Sequence, residues 1–141
     1  MSSVTLAALV ERLEKAEGPS RELDGEIATA AHGWKFVCEP VQGWLGGGSW
    51  WEDAAGKTVR LPPYTASVDS ALTLVPEGWE WQVSNRAPKP LAGRAYIHNR
   101  ELISGGAVSH NPKYRGQEAT AATPALALCI AALRARAAGR G

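Results

Sequence analysis

The chain carries two segments of similar design, YTASVDSALTLVPEGW at residues 64–79 and ATPALALCIAAL at residues 122–133. Each segment places a hydroxyl residue just ahead of a short apolar helix, Ser67 in the first and Thr123 in the second. The first segment then leads into Trp79, from which apolar and polar residues alternate as they do in a strand with one buried face. The two segments therefore predict a chain in which helices and strands follow one another.

The rest of the chain extends this order on both sides. Apolar residues at helical spacing predict a pair of helices within residues 4–32, with Ser20 as the cap of the second helix. A sheet with an inserted helix is predicted over residues 34–118, and a further helix over residues 124–137. This order predicts a single α+β domain over residues 1–141, in which helices pack on a mostly antiparallel sheet.

Aromatic and β-branched residues locate the strands of that sheet. Strand candidates lie at residues 34–39, 50–52, 58–61, 79–84 and 94–98. Their strand positions predict that Trp34, Trp79 and Trp81 fill the core. A turn at residues 55–57 joins the second and third candidates into a hairpin. The segment at residues 104–116 is ambiguous and offers at most one short edge strand.

The balance of charge excludes several classes of partner. The chain has 141 residues, of which 15 are basic and 14 acidic, and a formal net charge of +1. This charge provides no field that would recruit nucleic acid or an anionic membrane in general. The longest apolar stretch, at residues 124–133, is far shorter than the roughly 20 residues that span a bilayer. The first residues lack the features of a secretory signal, so we expect the chain in the cytosol.

The residues that most often carry metal or covalent chemistry form no recognisable pattern. Cys38 lies in an apolar run and Cys129 inside a helix, so both are predicted to be buried and reduced rather than joined in a disulfide. His32, His98 and His110 lie in unrelated elements and match no zinc spacing. No nucleophile with a base and no phosphate-binding glycine motif is present. The sequence therefore predicts a protein that is not an enzyme and holds no metal or cofactor.

Short pieces of the chain resemble a known family. The pieces are Leu23-Asp24 and Ile27, Gly33-Trp34, Tyr64-Thr65 with Ser67 and Asp69, Gly78-Trp79, and residues 123–129 and 131–133. At these positions, which extend over about residues 20–135, the chain resembles the phage ABA sandwich domain, a family of small phage and prophage proteins. The resemblance implies a three-layer α-β-α sandwich and a phage or prophage origin, hence the cytosol of a bacterial host. It implies no established activity and no catalytic residue.

The chain departs from the compact form of that family in two places. The glycine-rich loop at residues 43–49 and the segment at residues 104–116 look like additions. These additions leave open whether this chain has a pocket of its own.

The two helix starts are candidate anion sites. Free backbone amides and the helix dipole favour a phosphate or a carboxylate there. Tyr64, Thr65, Ser67 and Ser70 would add hydroxyl donors at the first start. Thr120 and Thr123 would do so at the second. The alternative is that Ser67 and Thr123 are ordinary helix caps, each contributing about 1 kcal/mol to stability.

Tryptophans beside the glycine-rich loop are the second candidate site. Trp44, Trp50 and Trp51 could stack on a nucleobase or another flat ligand, while Arg60 or Lys57 contacts a phosphate. The alternative is that Trp50 or Trp51 packs beneath the loop or in a subunit interface, where aromatic residues are enriched.

Two hypotheses for the function follow. In the first, the chain is a non-enzymatic phage protein that self-associates and binds a small anionic or nucleotide-like molecule, for example to sequester a host defence signal. Its predicted ligand-binding residues are Trp50, Trp51, Arg60, Tyr64, Thr65, Ser67 and Thr123. In the second, the chain is an interaction or accessory protein that binds itself or another protein through an aromatic surface, with no small ligand.

Overall fold

The computed structural model describes residues 3–38, 48–85, 89, 91–99 and 117–139. In chain order its elements are α1 (Ser3–Lys15), α2 (Arg21–His32), β1 (Lys35–Cys38), β2 (Ser49–Glu52), β3 (Thr58–Val59), α3 (Val68–Leu72), β4 (Trp79–Ser84), β5 (Gly93–Asn99), β6 (Gln117–Ala121) and α4 (Pro124–Gly139). Helices α1 and α2 occupy the range predicted for the helix pair, α3 lies between strands, and α4 begins at residue 124. Trp44, most of the glycine-rich loop and the segment at residues 104–116 lie outside the described residues.

The described strands form two antiparallel sheets. Sheet A has the strand order β1-β2-β3, and sheet B has the order β4-β5-β6. The predicted α+β class and the antiparallel pairing are therefore confirmed, although the described strands form two sheets and not the single sheet that was predicted. The predicted hairpin joins β2 to β3, where Gly56 has a φ of 87° and the Asp53 amide donates to the Lys57 carbonyl at 2.9 Å.

Side-chain caps begin the helices where the sequence predicts them. The hydroxyl oxygens of Ser20, Ser67 and Thr123 each accept a hydrogen bond of 3.2 Å from the backbone amide three residues further on. Helix α2 ends at Gly33, which has a φ of 71° and donates its amide to the Thr29 carbonyl at 3.0 Å. These interactions are local, and each satisfies a backbone group that the helix leaves unpaired.

Helix α4 lies at the centre of the core. Every side chain at residues 125–133 is buried. Sheet B contacts α4 through β5 and β6, and α1 and α3 contact it as well. Contacts then continue from α1 to α2 and from α2 to β1, so α1 and α2 connect α4 to sheet A. The α-β-α order of three layers stays a prediction.

The start of helix α4 lies very close to sheet B at Gly93. This residue is buried at the start of β5 and pairs with Ala121 of β6. A Cβ atom at this position would overlap the backbone carbonyl of Thr123 and the nitrogen of Pro124. The first turn of α4 therefore rests directly on the backbone of β5.

Sheet B has an inner face toward α4 and an outer face that is polar. The pairing register places Trp79, Trp81 and Val83 on the inner face with Ala95, Ile97, Ala119 and Ala121. The outer face carries Arg94, Tyr96, His98, Glu80 and Glu118, with an ion pair of 2.5 Å between Arg94 and Glu118 and a distance of 3.6 Å between His98 Nε2 and Glu80 Oε2.

Trp81 corrects one prediction about the core. It lies on the inner face opposite Ile97, yet its side chain is 48% exposed. The prediction that Trp81 fills the core is therefore wrong, whereas Trp34 and Trp79 pack partly buried against the core. The cause is that β4 is at the edge of sheet B, and α4 covers mainly β5 and β6.

Cys38 corrects a second prediction. Cys129 is buried, but Cys38 is exposed, because β1 is an edge strand and Cys38 is its last residue.

Strand β6 is not among the strands that the sequence predicts. Buried Ala119 and Ala121 alternate with Glu118 and Thr120, but this alternation is a weak signal because alanine has low β propensity. None of the helices among the described residues is both long and apolar enough to cross a bilayer.

Candidate functional site

An open groove lies between α1, α2 and sheet A. Its volume is about 710 Å³, within the usual range for sites that bind small molecules. We call it the aromatic groove. Its apolar lining consists of Ala8, Leu9, Gly25, Ala30, Phe36, Trp51 and Leu61, and its polar lining of Arg12, Arg21, Glu22, Glu26 and Thr29.

Two aromatic rings form one wall of the groove. Phe36 and Trp51 are directly opposite each other in the pairing of β1 with β2, and their ring centroids are 5.5 Å apart with an angle of 54° between the ring planes. Phe36 is 55% exposed, so much of its ring surface faces solvent. The register of sheet A therefore presents a pair of rings to any molecule in the groove.

Gly25 allows the Trp51 ring to lie against helix α2. A Cβ atom at this position would be 2.5 Å from Cζ2 and 2.8 Å from Cη2 of Trp51. Glycine normally weakens a helix interior by roughly 1 kcal/mol relative to alanine, so its presence here has a packing reason. Gly25 thereby fixes how deep the indole lies and shapes the floor of the groove.

The charges on the rim of the groove are balanced. Both carboxylate oxygens of Glu26 accept hydrogen bonds from the Arg12 guanidinium, which also donates to Glu22 at 3.2 Å. The hydrogen bond with Glu26 is the main cause that raises the pKa of Arg12. Arg21 donates to Asp24 at 2.9 Å and to the Leu61 carbonyl at 3.0 Å. The rim therefore attracts neither anions nor cations strongly.

A buried hydrogen-bond network anchors the start of α2 to the segment before α3. Asp24 Oδ1 accepts from the Thr65 amide at 2.8 Å and from the Thr65 hydroxyl at 2.7 Å. The Ser20 amide donates to Thr65 Oγ1 at 2.8 Å. The Thr65 side chain is completely buried. Its hydroxyl is thus engaged inside the protein, where it connects the segment before α3 to α2.

Tyr64 is also an internal residue. It is almost completely buried, and its carbonyl accepts a hydrogen bond of 3.3 Å from the Cys129 thiol. Burial raises the pKa of its phenol to about 12. Tyr64 and Thr65 therefore hold neighbouring elements together at the helix start where the sequence suggested an anion site.

The other predicted site residues lie in different surroundings. Ser67 and Thr123 cap α3 and α4, as the alternative interpretation of each had it. Trp50 donates its indole N–H to Glu52 at 2.8 Å. Arg60 is exposed next to Leu61, which lines the groove. Of the seven predicted ligand-binding residues, all of which the structure describes, Trp51 alone lines the aromatic groove, and Trp44 lies outside the described residues.

Sequence reasoning did not identify Phe36, Gly25 or Arg12 as parts of a site. Gly25 gave a signal, because a glycine inside a helical pattern often marks a close approach of another group. Phe36 gave none, because its position next to Trp51 depends on strand register. Among the described residues, no three His, Cys, Asp or Glu side chains are grouped so that they could hold a metal ion.

The two cysteines are expected to differ in reactivity. Cys38 is exposed, whereas burial raises the pKa of the Cys129 thiol well above its usual value. We expect a thiol reagent to modify one cysteine per native chain quickly and the second only after unfolding in urea. Mass spectrometry of digested protein assigns the modified residue. Fast labelling of Cys129 in the native protein would contradict the burial of α4.

No family model, curated protein or solved structure matches this chain. The geometry of the groove combines two aromatic rings, the close contact of Gly25 with Trp51 and a rim without net charge.

Proposed function

We propose that the chain is a non-enzymatic binding protein that holds a small molecule with a flat ring in the aromatic groove. The observation that supports this proposal is the ring pair of Phe36 and Trp51 beside a cavity of about 710 Å³. Flat π systems stack favourably on such rings, and one stacked base contributes roughly 1–3 kcal/mol. Most of the affinity then comes from the ring of the ligand, because the rim charges cancel.

A nucleotide-like molecule is the ligand class that we propose. Its base would stack on Phe36 and Trp51, and Arg60, which precedes the groove residue Leu61 in the chain, is the residue that we propose for contact with its phosphate. The proposed setting is a phage or prophage protein in a bacterial host, as the resemblance implies. A protein of this kind would act by sequestering a signal nucleotide of the host defence rather than by converting it.

The expected result is a selective rise in thermal stability with one class of nucleotide. The panel comprises nucleosides and mono-, di- and cyclic nucleotides, and a ligand at 100 times its Kd adds roughly 2.7 kcal/mol to stability. Phe36→Ser removes one ring and should abolish the rise. Tyr96→Ser, which removes another exposed aromatic ring, on the outer face of sheet B, should leave the rise unchanged.

Arg60 provides a second arm of the same experiment. If Arg60 contacts the phosphate, a nucleotide stabilises the protein more than its nucleoside, and Arg60→Ala removes that difference. The stabilisation by the nucleoside should survive this substitution. A panel without any rise, measured on folded protein, would overturn the proposal of a nucleotide ligand.

The second candidate function is binding of another protein through the same groove. It is favoured by the large exposed fraction of Phe36, since aromatic residues of this kind anchor interfaces. In this case no member of the panel stabilises the protein, and Phe36→Ser weakens binding to the protein partner.

A further inference from the structure

Among the described residues, the edge of β4 differs from the other sheet edges. Strand β4 pairs with β5 along six residues, and no described strand pairs with its other side. The edges of sheet A are shorter, with four residues in β1 and two in β3. At the opposite edge of sheet B, β6 contacts helix α1. Long, flat edges are surfaces on which a further strand can pair.

The residues of β4 do not block such pairing. Proteins usually protect an exposed edge with proline, lysine or a bulge, and β4 contains neither proline nor lysine. Its one charged residue, Glu80, faces the outer side, where its carboxylate lies 3.6 Å from His98 Nε2. Trp81 is 48% exposed on the inner side, beyond the main cover of α4. A partner strand would therefore gain both backbone hydrogen bonds and apolar contact.

The sequence of β4 is complementary to itself. In an antiparallel pair of two β4 strands centred on Trp81, the two Trp81 side chains lie opposite each other on the inner side. Trp79 then lies opposite Val83, and Glu80 lies opposite Gln82 on the outer side. No like charges meet, and residues opposite each other share a face. The inner faces of sheet B in the two copies therefore lie on the same side of the joined sheet.

We propose that two copies of this chain pair through their β4 strands, with Trp81 on the two-fold axis. The three strands of sheet B in each copy then join into one continuous sheet. Such a contact is isologous, because the same edge serves both copies, and it closes after two chains. It leaves the aromatic groove open, since the groove is lined by α1, α2 and sheet A.

Sedimentation equilibrium of the full chain over a range of concentrations tests the proposal. We expect a reversible change from 15.0 kDa to twice that mass. Trp81→Lys places two like charges opposite each other and should leave the protein monomeric. Circular dichroism and the melting temperature establish that each variant is folded.

Gln82 provides a matched pair of variants that tests the register. Gln82→Lys creates an opposite-charge pair with Glu80 of the other copy, twice per dimer, and should lower the dimer Kd about tenfold. Gln82→Glu creates like-charge pairs and should raise it by about the same factor. Repulsion between the net charges of the two chains cannot explain tighter pairing with Gln82→Lys than with Gln82→Glu. The chain has a net charge of +1, so by that effect an added lysine would weaken association. A monomer at all concentrations, or a dimer unchanged by these variants, would overturn the proposal.

Discussion

Gly93→Ala is expected to lower the free energy of unfolding by about 3 kcal/mol or more. The added methyl group overlaps the Thr123 carbonyl and the Pro124 nitrogen. These are backbone atoms, so no side-chain rotation relieves the overlap, and the first turn of α4 must move away from β5. Urea denaturation followed by far-ultraviolet circular dichroism measures the loss.

Gly18→Ala is the matched control for this substitution. Gly18 lies between α1 and α2, and a Cβ atom there would meet no heavy atom within 4 Å. The same change of glycine to alanine should therefore have little effect or stabilise slightly, by reducing the freedom of the unfolded chain. Equal stabilities of the two variants would mean that α4 does not rest on Gly93.

Asp24→Ala is expected to lower the free energy of unfolding by about 2–3 kcal/mol. It leaves the buried Thr65 amide without its acceptor and Arg21 without its carboxylate. An unsatisfied buried donor alone costs about 1–3 kcal/mol. Chemical denaturation at neutral pH measures the difference, and loss of the Thr65 contact loosens the start of α2 from the segment before α3.

Two further variants separate the hydrogen bond from the charge. Asp24→Asn keeps an oxygen that can accept a hydrogen bond from the Thr65 amide. Its loss of unfolding free energy should therefore be about half of that expected for Asp24→Ala. Glu22→Ala removes a carboxylate that is 78% exposed, and its effect should stay below about 0.5 kcal/mol. A loss for Glu22→Ala as large as that for Asp24→Ala would show that the buried network is not the cause.

Features that depend on neighbouring residues were predictable from the sequence. The caps Ser20, Ser67 and Thr123 act on amides three residues away, so each helix start follows from a short stretch of chain. The hairpin of β2 and β3 likewise needs only a turn between two short strands. The α+β class follows from these local elements in order.

Features that depend on distant residues were not predictable. Strand β6 exists because it pairs with β5, and its alanines give little propensity of their own. Apolar and polar residues alternate around Trp81 as they do in a strand with a buried face. Its exposure, however, depends on how far α4 extends over sheet B.

The candidate site was hidden for the same reason. Thr65 was expected to offer its hydroxyl to a ligand, yet Asp24, 41 residues earlier, already accepts a hydrogen bond from it. Phe36 and Trp51 meet only through the register of sheet A. A pattern of residue types shows which groups are present and does not show which partner each has.

The central position of α4 has a consequence for the synthesis of the protein. All other described elements precede α4 in the chain, so the ribosome makes their apolar faces before it makes the helix that covers them. The ribosome adds about 5–20 residues per second. Until α4 emerges, the nascent chain therefore exposes these apolar faces to other proteins. Slow codons just ahead of residue 124 would lengthen that interval and increase the demand for chaperones.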